Sequence, residues 1–207
     1  LKLNGGEDNT LISVNTTATT GAVTASIEGD KATYTGGAGV DTVTVTNADT
    51  PISKAIDLGA GDDKLTLSGT TNVITPTVEV KGGAGIDTVD YTSSDAIKIK
   101  KKTSNQVTAT LYGTDTLTDI EVIIGSTHAD KFTGSDNSNT FIGGAQNDDF
   151  IATKGSDTYY GGTATVENGV ITVHSASGFD TVDYSSYSGE VLVDLSASTA
   201  TAKKSTN

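Results

Sequence analysis

Residues 125–160 divide without remainder into nine-residue units, GSTHADKFT, GSDNSNTFI, GGAQNDDFI and ATKGSDTYY. Position six of successive units is Asp130, Asn139, Asp148 or Asp157, and position eight is always aromatic: Phe132, Phe141, Phe150 or Tyr159. A strict period of this kind leaves a chain few options. Small residues at the start of each unit suit a tight turn, and the last three residues suit a short strand whose middle side chain points inward. Two units then close one flattened coil, so residues eighteen apart stack on the same edge: Asp130 over Asp148, and Asn139 over Asp157.

Such stacking raises an electrostatic problem. Coils of a parallel solenoid lie about 4.8 Å apart, and two carboxylates at roughly 5 Å repel by about 3 kcal/mol at an effective dielectric near 20. Basic residues are nearly absent from the turns, Lys131 and Lys154 being the exceptions. A bound cation answers the repulsion better. Carboxylates, together with the backbone carbonyls of glycine-rich turns, form an all-oxygen donor set that suits a hard ion of flexible coordination, and calcium fits best.

The same turn recurs earlier in the chain. Gly36-Gly37-Ala38-Gly39-Val40-Asp41-Thr42-Val43 and Gly82-Gly83-Ala84-Gly85-Ile86-Asp87-Thr88-Val89 both read GGxGxDxU, with U a large apolar residue. This pattern resembles the signature of the RTX (repeats-in-toxin) calcium-binding repeats, which build parallel β-rolls in secreted bacterial proteins. The resemblance covers most of residues 36–183. It implies a right-handed parallel β-roll or β-solenoid that holds several calcium ions. It also implies a Gram-negative source, export by a one-step secretion system, and a secreted or cell-surface location.

Composition agrees independently. Aromatic residues make up 5% and hydrophobic residues 34%, too little for a thick globular core, so a thin elongated solenoid is the better reading. A net charge of −13 argues against nucleic acid as a partner and suits cation binding. With no Cys there are no disulfides and no thiol chemistry. The chain also lacks Met, a sulfur economy in keeping with an abundant exported protein such as a surface layer. No apolar run is long enough to span a bilayer. Because the chain begins at Leu1, it reads as a fragment or a processed product, with any secretion signal outside it.

Three regions follow, parts of one continuous elongated domain: wide coils over 1–124, tight nonapeptide coils over 125–162, and an inserted hairpin with a terminal coil over 163–207. In the first, Asp41, Asp63 and Asp87 are 22 and 24 residues apart, which predicts one motif turn per coil and a longer return on the other edge. That return includes the strands Val73-Ile74 and Val78–Val80, and Pro51 and Pro76 fall in returns or at strand ends. Tyr112-Gly113-Thr114-Asp115 repeats half the motif, and Asp119-Ile120-Glu121-Val122 leads into the nonapeptides as a strand. Val166-Glu167-Asn168-Gly169-Val170 predicts a hairpin, since Asn-Gly supplies the positive φ angles of a type I′ turn. The motif resumes at Gly178-Phe179-Asp180, 23 residues after Asp157, and terminal strands follow over 184–202.

The candidate ligands are the position-six residues Asp41, Asp63, Asp87, Asp115, Asp130, Asp148, Asp157 and Asp180, with Asn139 as an uncharged and weaker member. Carbonyl donors come from Gly37, Gly39, Gly59, Gly61, Gly83, Gly85, Gly113, Gly144, Gly155 and Gly178. Asp62, Asp136 and Asp149 read as solvated, and the position-eight aromatics as core. Lys98, Lys100 and Lys102 define a basic strand face, read as edge protection or as a contact for anionic cell-surface polysaccharide. His128 and His174 belong to no metal-ligating cluster. No GxSxG, HExxH or P-loop is present, so no catalysis is expected of this chain. The functional expectation is a calcium-ordered structural module that self-assembles as a surface layer or filament. The alternative is the folding and secretion module of a larger secreted toxin, adhesin or hydrolase.

Overall fold

The computed structural model describes residues 2–4, 12–28, 32–46, 55–68, 79–110, 114–167, 169–174, 178–187 and 201–203. Among them every regular element is a strand, in keeping with the Thr- and Val-rich alternation of the chain. An eight-stranded sheet contains, in spatial order, β1 (Lys2–Asn4), β3 (Thr24–Glu28), β5 (Thr42–Thr46), β7 (Lys64–Ser68), β9 (Thr88–Asp90), β13 (Val122–Ile124), β15 (Thr140–Ile142) and β17 (Thr158–Tyr160). The facing eleven-stranded sheet runs β2 (Ile12–Asn15), β4 (Ala32–Thr35), β6 (Ile56–Ala60), β8 (Glu79–Ala84), β12 (Thr114–Thr118), β11 (Gln106–Thr110), β10 (Lys98–Lys101), β14 (Lys131–Thr133), β16 (Asp149–Ile151), β20 (Thr181–Asp183) and β21 (Thr201–Lys203). The pair β18 (Ala164–Glu167) and β19 (Val170–Val173) stands apart. Outside that pair and the β10–β12 segment all pairings are parallel, so the chain alternates between the sheets as a β-solenoid.

The spacings read from the sequence appear as strand register. Thr42 pairs Lys64 and Lys64 pairs Thr88, steps of 22 and 24. Lys131 pairs Asp149 and Thr140 pairs Thr158, steps of eighteen. Inward positions form continuous columns. On one sheet Ala25, Val43, Leu65, Val89, Ile123 and Phe141 are all buried, and on the other Val14, Tyr34, Ile56, Val80 and Leu117. In the tight coils the rings stack along the axis, Phe132 on Phe150 at 5.1 Å and Phe141 on Tyr159 at 6.0 Å between centroids.

Two excursions interrupt the coils. After β9 the chain forms β10 and β11, which enter the larger sheet between β12 and β14, β11 antiparallel to β12 and to β10, and β10 parallel to β14, with no counterpart in the smaller sheet. Tyr91, Ile97, Ile99, Val107 and Ala109 bury themselves beneath this insertion. The predicted hairpin is β18–β19, with Glu167 opposite Val170 and Gly169 at φ +71°. Val166 packs on Val122, Ile124 and Ile142, so the hairpin covers outward-facing apolar side chains of the smaller sheet. The predicted strand Val73-Ile74, the returns holding Pro51 and Pro76, and residues 188–200 lie outside the described residues, while the predicted strand Val78–Val80 overlaps the start of β8, Val78 itself being outside them.

Candidate metal centre

Turns on one edge lead into the smaller sheet and turns on the other lead into the larger. At each, the position-six side chain points into the turn rather than to solvent: Asp41, Asp63, Asp87, Asp130, Asn139 and Asp148 are all buried. The cause is a main-chain need. The position-six N–H finds its acceptor in the carboxylate of the next coil. On the first edge Val23 N–H donates to Asp41 Oδ1 (2.9 Å), Asp41 N–H to Asp63 Oδ1 (2.6 Å) and Asp63 N–H to Asp87 Oδ1 (3.0 Å). Farther along, Asn139 N–H donates to Asp157 Oδ1 (3.0 Å). On the second edge Ile97 N–H donates to Asp130 (2.6 Å), Asp130 N–H to Asp148 (2.8 Å) and Asp148 N–H to Asp180 (3.0 Å). Each aspartate thus ties its own coil to the one before it.

The second carboxylate oxygen divides the set. Asp41 Oδ2 accepts from the Tyr34 hydroxyl (2.8 Å), Asp130 Oδ2 from Ser126 N–H (2.6 Å), and Asp157 Oδ2 from Thr153 Oγ1 (2.7 Å) and the Tyr159 hydroxyl (3.1 Å). Oδ2 of Asp63, Asp87 and Asp148 is buried without a hydrogen-bond partner. Burial, then neighbouring carboxylates, push Asp63 up to about 6 and Asp87 and Asp148 up to about 7, against the pull of the backbone N–H each accepts. Asp130, Asp180 and Glu121 are also raised, burial again leading.

The orphaned oxygens of Asp87 and Asp148 lie against the first glycine of their turns. A Cβ on Gly82 would lie 2.0 Å from the Asp119 carbonyl oxygen and 2.6 Å from Asp87 Oδ2, and one on Gly143 would lie 2.1 Å from Asp148 Oδ2. Carbonyls stack likewise at Gly59, Gly83 and Gly85, where a Cβ would meet the oxygens of Gly37, Gly59 and Gly61. Among the described residues no three His, Asp or Glu side chains converge. Any ion held here would therefore take one carboxylate or a neighbouring pair, with carbonyls completing the shell. That all-oxygen set fits calcium.

Several expectations change. Asp115 lies within β12 rather than in a turn, opposite Ala109, and its Oδ2 accepts from the Tyr91 hydroxyl at 3.3 Å; Gly113 is outside the described residues. Asp115 shares the inward face of β12 with Leu117 and meets the Tyr91 hydroxyl there, apart from the turn columns. Asp180 stacks on Asp148, not on Asp157, because the hairpin is inserted within the turn that begins at Gly161; a Cβ there would lie 1.9 Å from Asp180 Oδ2. Glu121, read from sequence as part of a strand, takes the aspartate's place in the coil after Asp87: its Oε2 accepts from Asp87 N–H at 2.9 Å. Asp62 is a ladder member too, accepting from Ile86 N–H at 2.9 Å, while Asp136 pairs with Lys101 and Asp149 with Lys131. Its place directly before a motif aspartate was the available signal for Asp62. Lys98 and Lys100 are exposed on β10, and Lys102 donates to Thr116 Oγ1 at 3.0 Å.

No helix among the described residues is long and apolar enough to cross a membrane. No protein-family model, curated protein or solved structure matches this chain.

Proposed function

We propose that this chain is a calcium-ordered structural module of a secreted bacterial surface protein, built from RTX-like turns and assembling with copies of itself. The observation that carries the reading is the pair of carboxylate columns buried at the solenoid edges, in which Asp63, Asp87 and Asp148 each keep an oxygen without a partner. Burying ionised carboxylates in a chain of net charge −13 is costly without a counter-ion. Calcium would supply positive charge between coils, held by these carboxylates and the turn carbonyls, and couple folding to the ion. Outside the cell, where calcium is plentiful, the module is ordered; where calcium is scarce, repulsion along the columns disfavours it. Lys98 and Lys100 offer it a contact for anionic polysaccharide.

Far-UV circular dichroism of chelator-treated protein, before and after millimolar calcium, tests the metal. A β-spectrum that appears with calcium is the expected result, and an unchanged spectrum rejects it. Negative-stain microscopy with light scattering on the same samples tests assembly. Ordered sheets or filaments support it, and particles that stay monomeric in calcium reject it.

A further inference from the structure

We infer that a left-handed glycine as the second residue of a turn leaves its aspartate open to a cation, and that the described residues hold three such sites, at Asp63, Asp87 and Asp148. The inference rests on the calcium reading above and narrows it. In these turns the second residue is Gly59, Gly83 or Gly144, at φ +105°, +113° and +110°. The aspartates are 0–1% exposed, and each has one oxygen unpartnered. Left-handed backbone at this position has no side chain to bring to the carboxylate, and the bare glycine face lets main-chain oxygens crowd toward it.

Where the second residue is Ser or Thr, the turn closes on itself. Ser126 donates to Asp130 through its N–H (2.6 Å) and its hydroxyl (3.0 Å). Ser135 does the same to Asn139 Oδ1, at 3.0 and 2.9 Å, and Thr153 donates its hydroxyl to Asp157 at 2.7 Å. These hydrogen bonds engage acceptor sites that a cation would use. Asn139 fits the closed class in another way, since its amide donates to the Ile120 carbonyl (3.0 Å) where a carboxylate could not. Asp41 separates sequence motif from geometry. Its turn matches GGxGxD fully, yet Gly37 has no left-handed φ and the Tyr34 hydroxyl occupies Oδ2. The full motif is therefore not sufficient for an open site.

Calcium chloride titrated calorimetrically into the chelator-stripped chain tests this. The described turns are expected to contribute three sites, the count falling by one in each of Asp63→Asn, Asp87→Asn and Asp148→Asn. Asparagine keeps the oxygen that accepts the neighbouring N–H, so the ladder survives. Asp41→Asn, Asp130→Asn and Asp157→Asn are expected to leave the count unchanged. Ser126→Gly is expected to add one site, a gain that misfolding cannot produce. Uptake at all the position-six aspartates, equal losses at Asp130→Asn and Asp148→Asn, or a folded Ser126→Gly that gains nothing would overturn the rule and leave the calcium reading standing. A folded wild-type chain that takes up no calcium overturns both.

Discussion

In the wide coils a strand such as β5 sends two side chains inward, Val43 and Val45, whereas β15 in the tight coils sends only Phe141. The two regions fill a similar gap between sheets by different means. A coil of eighteen residues has room for three-residue strands, and one inward position per strand must then be aromatic. A coil of 22 or 24 spreads the same task over several aliphatic side chains. Turn chemistry shifts in parallel: the tight coils place a ladder residue on both edges, and the described wide coils place theirs before the smaller sheet. Period, core residue and edge chemistry are thus one choice rather than three.

The sharpest way to break this comparison is to remove a ring. Phe141→Ala leaves no second inward residue on its strand to close the gap, and a loss of about 3–5 kcal/mol in urea unfolding is expected. Val43→Ala, with Val45 beside it, should cost clearly less; equal losses would mean that the tight coils do not depend on their rings. Next in size is backbone strain. A Cβ on Gly83 would lie 1.9 Å from the Gly59 carbonyl, at φ +113°, so Gly83→Ala should cost about 2–3 kcal/mol. Gly21→Ala, with nothing within 4 Å of the new atom, should stay within about 0.5 kcal/mol.

A third test uses pH in chelator. The folded-state values of Asp63, Asp87 and Asp148 lie above the ordinary carboxylate range, at about 6 to 7. The folded chain therefore holds protons that the unfolded chain has released, and stability present at low pH is lost as pH rises through those values. In chelator the β-spectrum that is absent at pH 8 should therefore return as pH falls to 5, read by far-UV circular dichroism, a gain on the order of 2 kcal/mol. Calcium-free β-structure that instead grows as pH rises through this window would contradict the burial of these groups as acids. Smallest is Asp62→Ala, which removes the acceptor for Ile86 N–H and should cost about 1 kcal/mol by thermal melt. No change would return Asp62 to the solvated class.

Much of the fold could be read from residue spacing, because in a solenoid the interval between equivalent residues is itself the register. Asp130 over Asp148, the steps of 22 and 24, the aromatic core and the Asn-Gly hairpin all follow from local pattern. What could not be read were relations between distant segments. Alternation marks Ile97-Lys98-Ile99 as a strand but does not say that it turns back against β11 within the sheet. The position of Asp180 depends on where the hairpin leaves the turn, and Glu121 joins the column because its longer side chain spans the same gap from a different turn. At the candidate site, the aspartates were visible as a set. The split among them lies in hydroxyls at Ser126, Ser135, Thr153 and Tyr34, whose roles emerge from the folded turns.

The β10–β11 insertion has a geometric consequence of its own. It adds two strands to one face and none to the other. At about 4.8 Å per strand, that is about 10 Å of extra length on a body whose faces are about 10 Å apart. The coils on either side are set apart on the larger-sheet face while β13 and β15 stay adjacent on the other, and Tyr91 and the inward residues of the inserted strands are buried in the wedge between. Curvature in such a chain can be set by how many strands each face counts, without altering a single repeat.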